Sequence, residues 1–269
     1  TLFVGFNGFG TLIVLGTGVG LGYLAGLSTK WRWATVAGYL ALSVVAVLIT
    51  YSRGAWLGYL GMLAVFALAN RHVRRWTWFA IAGLAAGWFM VPGLHTRLVS
   101  AFSLAANSNR LFIWRSTLDI IKDHPLFGVG AGVFMHIYEK YALPGAPEKV
   151  VAYAHNLFLQ VLAEFGIIGF VLFVAVVGRV LLMSWRLART GEPLYQGIFA
   201  SFIGVLIHQQ VDIPIWGLEV GGAFWLLVGL VISLYVHEMG QNEHEQMRGH
   251  WWSRVHRVQP DAPAGAGGD

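Results

Sequence analysis

Arginine and histidine side chains stand where long apolar runs end, and these are the residues best suited to chemistry. Arg53 lies between two such runs, in Tyr51-Ser-Arg-Gly-Ala-Trp56. A charge at that depth is costly unless it is paired or lines a polar cavity, so function is the first hypothesis, and an arginine that reaches the lipid headgroups is the alternative. A guanidinium stays charged and offers a planar fork to phosphate oxygens, so two of them could hold a pyrophosphate.

Residues 107–125 supply the second arginine candidate. Cap-forming residues open the segment, a proline closes it and apolar positions recur with a helical period, which predicts an amphipathic helix at the outer membrane interface. Arg110 shares a face with Trp114 and has no acidic residue one turn on, so we expect it to serve chemistry, and a plain surface arginine is the alternative. Arg115 is also a candidate substrate-binding residue, although Asp119 is placed to pair with it. The predicted apolar face consists of Leu111, Trp114, Leu118 and Ile121.

Histidines supply the candidate bases. His155 opens a further apolar run, and its side chain can accept a proton near neutrality, although an ordinary hydrogen-bonding role is the alternative. Glu164 lies about 180° around the same predicted helix, so we expect a structural role for it. His208 and Asp212, one turn apart, are candidate substrate-binding residues. Asp212 could orient His208, reach an outer arginine or simply end the helix before Pro214.

The other outer histidines form no recognisable metal-ligand pattern, and no clustered aspartates suit a phosphate-bound Mg²⁺. We therefore expect metal-independent chemistry and no cofactor. These histidines are His95, His124 and His136.

The elements that carry the candidates are long apolar runs. Hydrophobic residues make up 57% of the chain and charged residues 12%, with no cysteine, which excludes an ordinary soluble domain, with roughly 25% charge, and a disulfide-stapled module. The predicted fold class is all-α, a polytopic helical membrane protein with about seven transmembrane helices and one long periplasmic segment that carries amphipathic helices. The predicted spans are 2–27, 34–52, 54–69, 76–92, 156–183, 195–210 and 217–236.

These spans divide the chain into four parts. Residues 1–92 hold four spans, 93–154 form the periplasmic segment, 155–236 hold three spans, and 237–269 form a cytoplasmic tail that we expect to be disordered. The chain opens without a signal-peptide pattern and is expected to be a piece of a longer protein.

Basic residues set the predicted orientation. Ten of the 18 lysines and arginines lie in connectors that can share one side, which the positive-inside rule makes cytoplasmic. The same rule accounts for the net charge of +5 without nucleic-acid binding. The outer side then carries Arg53, Arg97, Arg110, Arg115, Lys122, Lys140 and Lys149.

Two glycine-rich stretches have competing interpretations. The glycines of 16–22 resemble a nucleotide-binding fingerprint, but no strand precedes them, which favours close helix packing. Gly128, Gly130 and Gly132 could cradle an anion with backbone amides or form a plain turn.

The combined pattern resembles the O-antigen ligase and polymerase superfamily, over about residues 43–235. The most specific element is His155-Asn156 followed after nine residues by Gly166-Ile-Ile-Gly169. The other elements are Ser52-Arg53-Gly54, Asn109-Arg110 and Asp123-His124-Pro125-Leu126-Phe127-Gly128-Val129-Gly130.

This resemblance implies transfer of a glycan from undecaprenyl pyrophosphate to an acceptor hydroxyl, such as that of lipid A-core oligosaccharide, at the periplasmic face of the bacterial inner membrane. It implies that Arg53 and Arg110 bind the pyrophosphate, that His155 is the base and that Asp212 lies near the site. The expected reaction is inverting and metal-independent. The expected partners are the lipid-linked donor, the glycan acceptor and membrane lipids.

Other functions remain open at this stage. Within the superfamily, the chain could be an O-antigen polymerase or a protein O-oligosaccharyltransferase. A lipid-linked glycan transporter is the alternative from another class, because intramembrane charge also marks substrate pathways. The sequence shows no internal repeat of the kind found in many transporters.

Overall fold

The computed structural model describes residues 5–90, 93, 95, 96, 99 and 104–257. Predictions that concern Arg97 and residues 258–269 lie outside this part of the chain. The helices are α1 Phe6–Gly26, α2 Arg32–Ile49, α3 Arg53–Ala69, α4 Arg74–Met90, α5 Leu104–Asp123, α6 Phe134–Tyr141, α7 Leu157–Ala188, α8 Pro193–His208 and α9 Leu218–Arg257, with a 3-10 turn at Pro214–Trp216.

The predicted fold class is confirmed, because all regular structure in the described residues is helical. Four helices of this part are long and apolar enough to cross a membrane: α1, α2, α7 and the stretch Leu218–Gly240 of α9. Helices α3, α4 and α8 have 16 or 17 residues, and their crossing of the membrane stays a prediction. Helix α9 continues past residue 236 to Arg257, into the part that we expected to be a disordered tail.

Helix α8 packs closely against both α1 and α3 through glycines. A Cβ atom at Gly18 of α1 would lie 2.8 Å from the carbonyl oxygen of Gly197, and one at Gly58 of α3 would lie 2.6 Å from that of Gly204. Both distances are too short for any side chain, so the backbones touch directly. The packing interpretation of the glycines in 16–22 therefore holds for Gly18 and also for Gly22, where an added Cβ would lie 2.6 Å from the carbonyl oxygen of Pro193, whereas one at Gly16 would meet no described atom within 4 Å.

The two ends of the bundle differ in character. At one end, Asn70 donates a hydrogen bond to Gln196 (2.9 Å), and the guanidinium of Arg75 lies over the ring of Trp33 (5.7 Å). The opposite end gathers the starts of α1, α3 and α7 and the last turn of α8. The basic connectors therefore lie away from the end that holds the candidate site.

An outer layer built from α5, α6 and the segment before α7 covers that end. Its small core contains Ile113 and Ile120 of α5 with Phe134 and Tyr138 of α6. The side of α5 that packs on this core is not its predicted apolar face, which we expect to lie on the membrane interface. The buried face is Ile113, Ser116, Thr117 and Ile120, while Leu111 and Leu118 are exposed and Trp114 is half-buried.

Helix α7 is broken at Gly166, whose φ of 63° and ψ of −169° are not helical. The loop of residues 125–130 fills the break: Val129 and Gly130 donate backbone hydrogen bonds to the carbonyls of residues 163 and 164, and Ile167 donates to the carbonyl of Pro125, each at 2.9 Å. These bonds satisfy groups that the break would leave unpaired inside the protein. Gly128 and Gly130 thus join the outer layer to a membrane helix. Gly132 lies in a turn in which the N–H of Val133 donates to the carbonyl of Gly130 (3.3 Å), which agrees with the plain-turn interpretation at that position.

Gly128 is expected to be the position in this loop least tolerant of substitution. Its φ is 66°, and an added Cβ would lie 2.4 Å from the backbone carbonyl carbon of Glu164. Gly132→Ala is the matched control, because Gly132 has a φ of 72° but open space around it. We expect Gly132→Ala to lower the free energy of unfolding by about 1 to 2 kcal/mol. Gly128→Ala should cost more than that in a chemical-denaturation experiment, and equal costs would contradict the interlocking of loop and helix.

Candidate active site

The site is built around a hydrogen bond between two residues that are 57 positions apart. Nδ1 of His155 lies 3.1 Å from Oδ1 of Asp212. The Asp212 side chain is 2% exposed and that of His155 is 25% exposed. Because a carboxylate only accepts, Nδ1 must carry the proton, which leaves Nε2 of His155 free to take one from a substrate.

Asp212 accepts hydrogen bonds from three neighbours. Besides His155, the backbone N–H of Ile213 donates to Oδ1 (2.9 Å), and the side-chain amide of Asn7 donates to Oδ2. Burial works to raise the pKa of Asp212, but the hydrogen bond and charge of His155, the Ile213 N–H and His208 outweigh it. The pKa of Asp212 is therefore below its ordinary value of 3.8, and the group is a carboxylate that orients His155.

The lowered pKa predicts how the stability of the fold depends on pH. A carboxyl group with a depressed pKa stabilises the fold fully above its unfolded value and loses that contribution as the pH falls through its folded value. We expect Asp212→Asn to lower the thermal unfolding temperature at neutral pH, and the difference from the unchanged chain to shrink below about pH 4. Asp119→Asn is the control, because Asp119 pairs with Lys122 on the surface and should matter little at any pH. A difference that is constant with pH would contradict the assignment.

His155 and the adjacent Asn156 have different roles: the histidine is the candidate base, and the asparagine holds the local structure. His155 has a φ of 53°, a left-handed conformation that is unusual outside glycine and asparagine. Asn156 caps α7 by accepting from the N–H of Leu159 (3.1 Å) and donates to the carbonyl of Gln210 (3.0 Å). The asparagine thereby fixes the start of α7 to the connector that carries Asp212, and this sets the position of the histidine beside it.

His208 and the Ser-Arg-Gly motif meet at the same end of the bundle. Thr11 of α1 forms a hydrogen bond with Nδ1 of His208 (2.9 Å). Of the alternatives given for Asp212, the orientation of His208 is therefore not the one observed. Ser52 caps α3 by accepting from Ala55. A Cβ at Gly54 would lie 2.7 Å from the His208 ring. The motif therefore places half-buried Arg53 at the first position of α3, next to the glycine on which His208 packs.

Arg110 is directed to the site by the neighbours on its own helix. Trp114, one turn on, donates through Nε1 to the carbonyl of Ala154 (3.0 Å), the residue before His155. The adjacent Tyr153 ring stands edge-on to the His155 ring at 4.7 Å. Burial raises the pKa of Tyr153, the charge of Asp212 raises it further, and the charge of Arg110 opposes them. Arg110 thus lies within electrostatic range of the residues around His155.

Two other predicted residues lie apart from this cluster. Arg115 is exposed on α5, and the expected pair with Asp119 is replaced by a bond between Asp119 and Lys122 (2.7 Å). Glu164 is buried and accepts from the indole of Trp216 (3.1 Å), and its other oxygen accepts from the N–H of a residue in α6. A structural role for Glu164 agrees with these contacts.

Three residues of the cluster were not predicted from the sequence: Asn7, Thr11 and Tyr153. Asn7 and Thr11 are polar residues one turn apart at the start of a largely apolar helix, and polar groups in a membrane helix turn toward the protein interior. That spacing was the signal that could have identified them. No sequence pattern distinguishes Tyr153 from the other tyrosines, because its role depends on where Arg110 and Asp212 lie.

Comparisons with known proteins agree with the predicted resemblance. The sequence model of a family described as O-antigen ligase matches residues 38–174, just over half of the chain. A protein of Rickettsia bellii (strain RML369-C) named "Putative polysaccharide ligase" is 24% identical over 211 residues, which cover 71% of this chain and 51% of that protein. The chain thus spans about half the length of this curated relative. The matched family region contains Arg53, Arg110 and His155, and Asp212 lies beyond it.

Proposed function

The chain belongs to the O-antigen ligase family, and from this premise we propose that it is a membrane glycosyltransferase that moves a glycan from undecaprenyl pyrophosphate to a hydroxyl of a lipid A-core acceptor. The observation that supports this most strongly is the bond between His155 and Asp212, at the end of the bundle where α3 begins with Arg53 and α5 carries Arg110. In the proposed orientation, this end faces the periplasm and the basic connectors face the cytoplasm of a bacterial inner membrane.

His155 acts as the general base in this proposal. Its Nε2 takes the proton of the acceptor hydroxyl, while Nδ1 keeps its bond to Asp212, which stabilises the imidazolium that forms. The acceptor oxygen forms a bond to C1 of the donor sugar as the bond from C1 to the phosphate oxygen breaks. The electron pair of the broken bond leaves with the undecaprenyl pyrophosphate.

The arginines stabilise the leaving group. Charge accumulates on the phosphate oxygens as the C1 to oxygen bond breaks, and fixed guanidinium groups counter it with a charge that no accessible pH removes. Arg53 and Arg110 come from two different helices, α3 and α5, and in this proposal they bind one diphosphate between them. Because these groups supply positive charge, the proposed reaction needs no metal.

The engagement of Asp212 favours inversion at C1. A retaining reaction by double displacement needs a carboxylate that is free to attack the sugar. The oxygens of Asp212 already accept from His155, Ile213 and Asn7, and the side chain is almost fully buried. Direct attack by the acceptor hydroxyl is the remaining route at this pair.

The experiment is reconstitution of the chain in proteoliposomes with undecaprenyl-pyrophosphate-linked glycan and one acceptor at a time. New glycosidic bonds on lipid A-core are expected, with the anomeric configuration inverted and no loss of turnover in EDTA. Transfer only to another glycan chain would identify a polymerase, and transfer only to a peptide serine would identify a protein-glycosylating enzyme. Relocation of the donor across the membrane without any new bond would show a transporter. A requirement for Mg²⁺ would contradict the metal-independent mechanism.

A further inference from the structure

A cleft of about 310 Å³ opens beside the His155 and Asp212 pair. The start of α1, Tyr153 and the first turn of α9 form its walls, and Asn7 and Glu219 are among its lining residues. Its volume lies at the lower end of the range for small-molecule sites, about 300 to 1,000 Å³. The cleft can therefore hold a group the size of a sugar ring but not a whole oligosaccharide.

The walls of this cleft touch the reacting pair through two contacts. Asn7 donates to Oδ2 of Asp212, and Tyr153 stands edge-on to the ring of His155. A ligand in the cleft is thus one side chain away from the base. The position of such a ligand would determine where the rest of the same molecule enters the site.

The charge of the cleft excludes a diphosphate. Among the described residues that line it, the one formal charge is the carboxylate of Glu219, which repels phosphate oxygens. Arg53, at the start of α3, and Arg110, on α5, do not belong to this lining. The donor diphosphate and the occupant of this cleft therefore occupy different parts of the site.

The polar groups of the cleft suit a hydroxyl-rich, neutral ligand. An ionised carboxylate accepts hydrogen bonds from hydroxyls, an amide can both donate and accept, and a tyrosine ring offers an apolar face with a polar tip. Glu219 is exposed next to Leu218, which is 90% exposed. Glu219 lies in the first turn of α9, where a carboxylate is favourable, and its exposure makes it accessible to a ligand at the wall of the cleft.

We propose that this cleft, with Asn7, Tyr153 and Glu219 in its walls, binds one saccharide ring of the acceptor glycan beside the His155 and Asp212 pair. The inference rests on the proposed function and identifies the part of the site that recognises the acceptor. Glu219 is a binding residue in this view and takes no part in proton transfer.

Because the chain contains no cysteine, a single introduced thiol reports on the cleft without background. Gly5 lines the cleft, and no atom of the described residues lies within 4 Å of a Cβ added there, so Gly5→Cys places the thiol at the wall. Ala131→Cys is the control, since residue 131 is exposed in the outer layer and outside the cleft. The measurement is the rate of alkylation of the full chain by N-ethylmaleimide, with and without the methyl glycosides of glucose and N-acetylglucosamine.

We expect a methyl glycoside to slow alkylation of Gly5→Cys but not of Ala131→Cys, and Glu219→Gln to remove the protection. Equal rates with and without both glycosides would overturn the proposal, and so would protection by inorganic pyrophosphate in their place.

A second measurement uses the transfer assay. Glu219→Gln should raise the KM for the acceptor about tenfold, because one hydrogen bond to a charged group is lost, and should leave the KM for the donor unchanged. Protection without transfer by the unchanged chain would contradict the proposed function alone. Transfer without protection would contradict the cleft alone.

Discussion

His155→Ala is expected to lower the rate of glycan transfer by about 10²- to 10⁴-fold, the usual contribution of a general base. The alanine leaves no group to take the proton of the acceptor hydroxyl, whereas Asn156 continues to cap α7, so membrane insertion and folding should persist. The effect should fall on the rate of the chemical step more than on donor binding. Single-turnover transfer from a labelled donor in proteoliposomes measures this rate directly.

Two further variants test the role of His155: a control at another histidine and a variant of its hydrogen-bond partner Asp212. His136→Ala removes an exposed histidine of α6 on the same predicted side of the membrane and should leave the rate unchanged. Asp212→Asn should slow transfer because it removes the negative charge that stabilises the His155 imidazolium, and its amide N–H₂ can face Nδ1 and favour the wrong tautomer of His155. The double variant of His155 and Asp212 should be no slower than His155→Ala, because Asp212 acts through the histidine. Independent, multiplicative losses would contradict this arrangement.

Hydropathy alone was sufficient to predict the helical membrane fold. A helix pairs its backbone N–H and C=O groups within itself, so a span needs only a long apolar run. The break at Gly166 was not predicted. It depends on hydrogen bonds with residues 125–130, and one glycine within an apolar run gives no sign of such a distant partner. The same limit applies to α5, where Ser116 and Thr117 are fully buried, because the apolar period alone does not show which side of a helix packs on the rest of the protein.

The candidate site shows where spacing within one helix is informative and where it is not. The spacing of His208 and Asp212 suggested that they act together, yet Asp212 bonds to His155 and His208 bonds to Thr11. Helix α8 ends at His208, so the helical geometry that would align the two does not extend to Asp212. A contact between residues of different helices depends on how the helices pack, and a single sequence does not record that packing.

Arg53→Ala and Arg110→Ala are each expected to slow transfer by about 10²- to 10³-fold, by analogy with the loss of one donor from an oxyanion hole. Lysine at either position restores the charge but not the planar fork, so Arg→Lys variants should recover only part of the rate. Ser52 still caps α3 when Arg53 is replaced, and the bond from Trp114 to Ala154 still holds α5 when Arg110 is replaced. The losses should therefore reflect the leaving group and not the fold, which circular dichroism of each variant checks.

Residues on the same outer layer distinguish a specific effect of the two arginines from a general effect of charge. Lys140→Ala removes an exposed cation of α6 and should leave the rate unchanged. Arg115→Ala should cost less than Arg110→Ala, because Arg115 is exposed and points about 140° away from Arg110 around the helix. If both arginines grip the same diphosphate, each variant should also weaken binding of undecaprenyl pyrophosphate itself, measured by competition with the labelled donor. Full transfer by either alanine variant would mean that its guanidinium does not stabilise the leaving group.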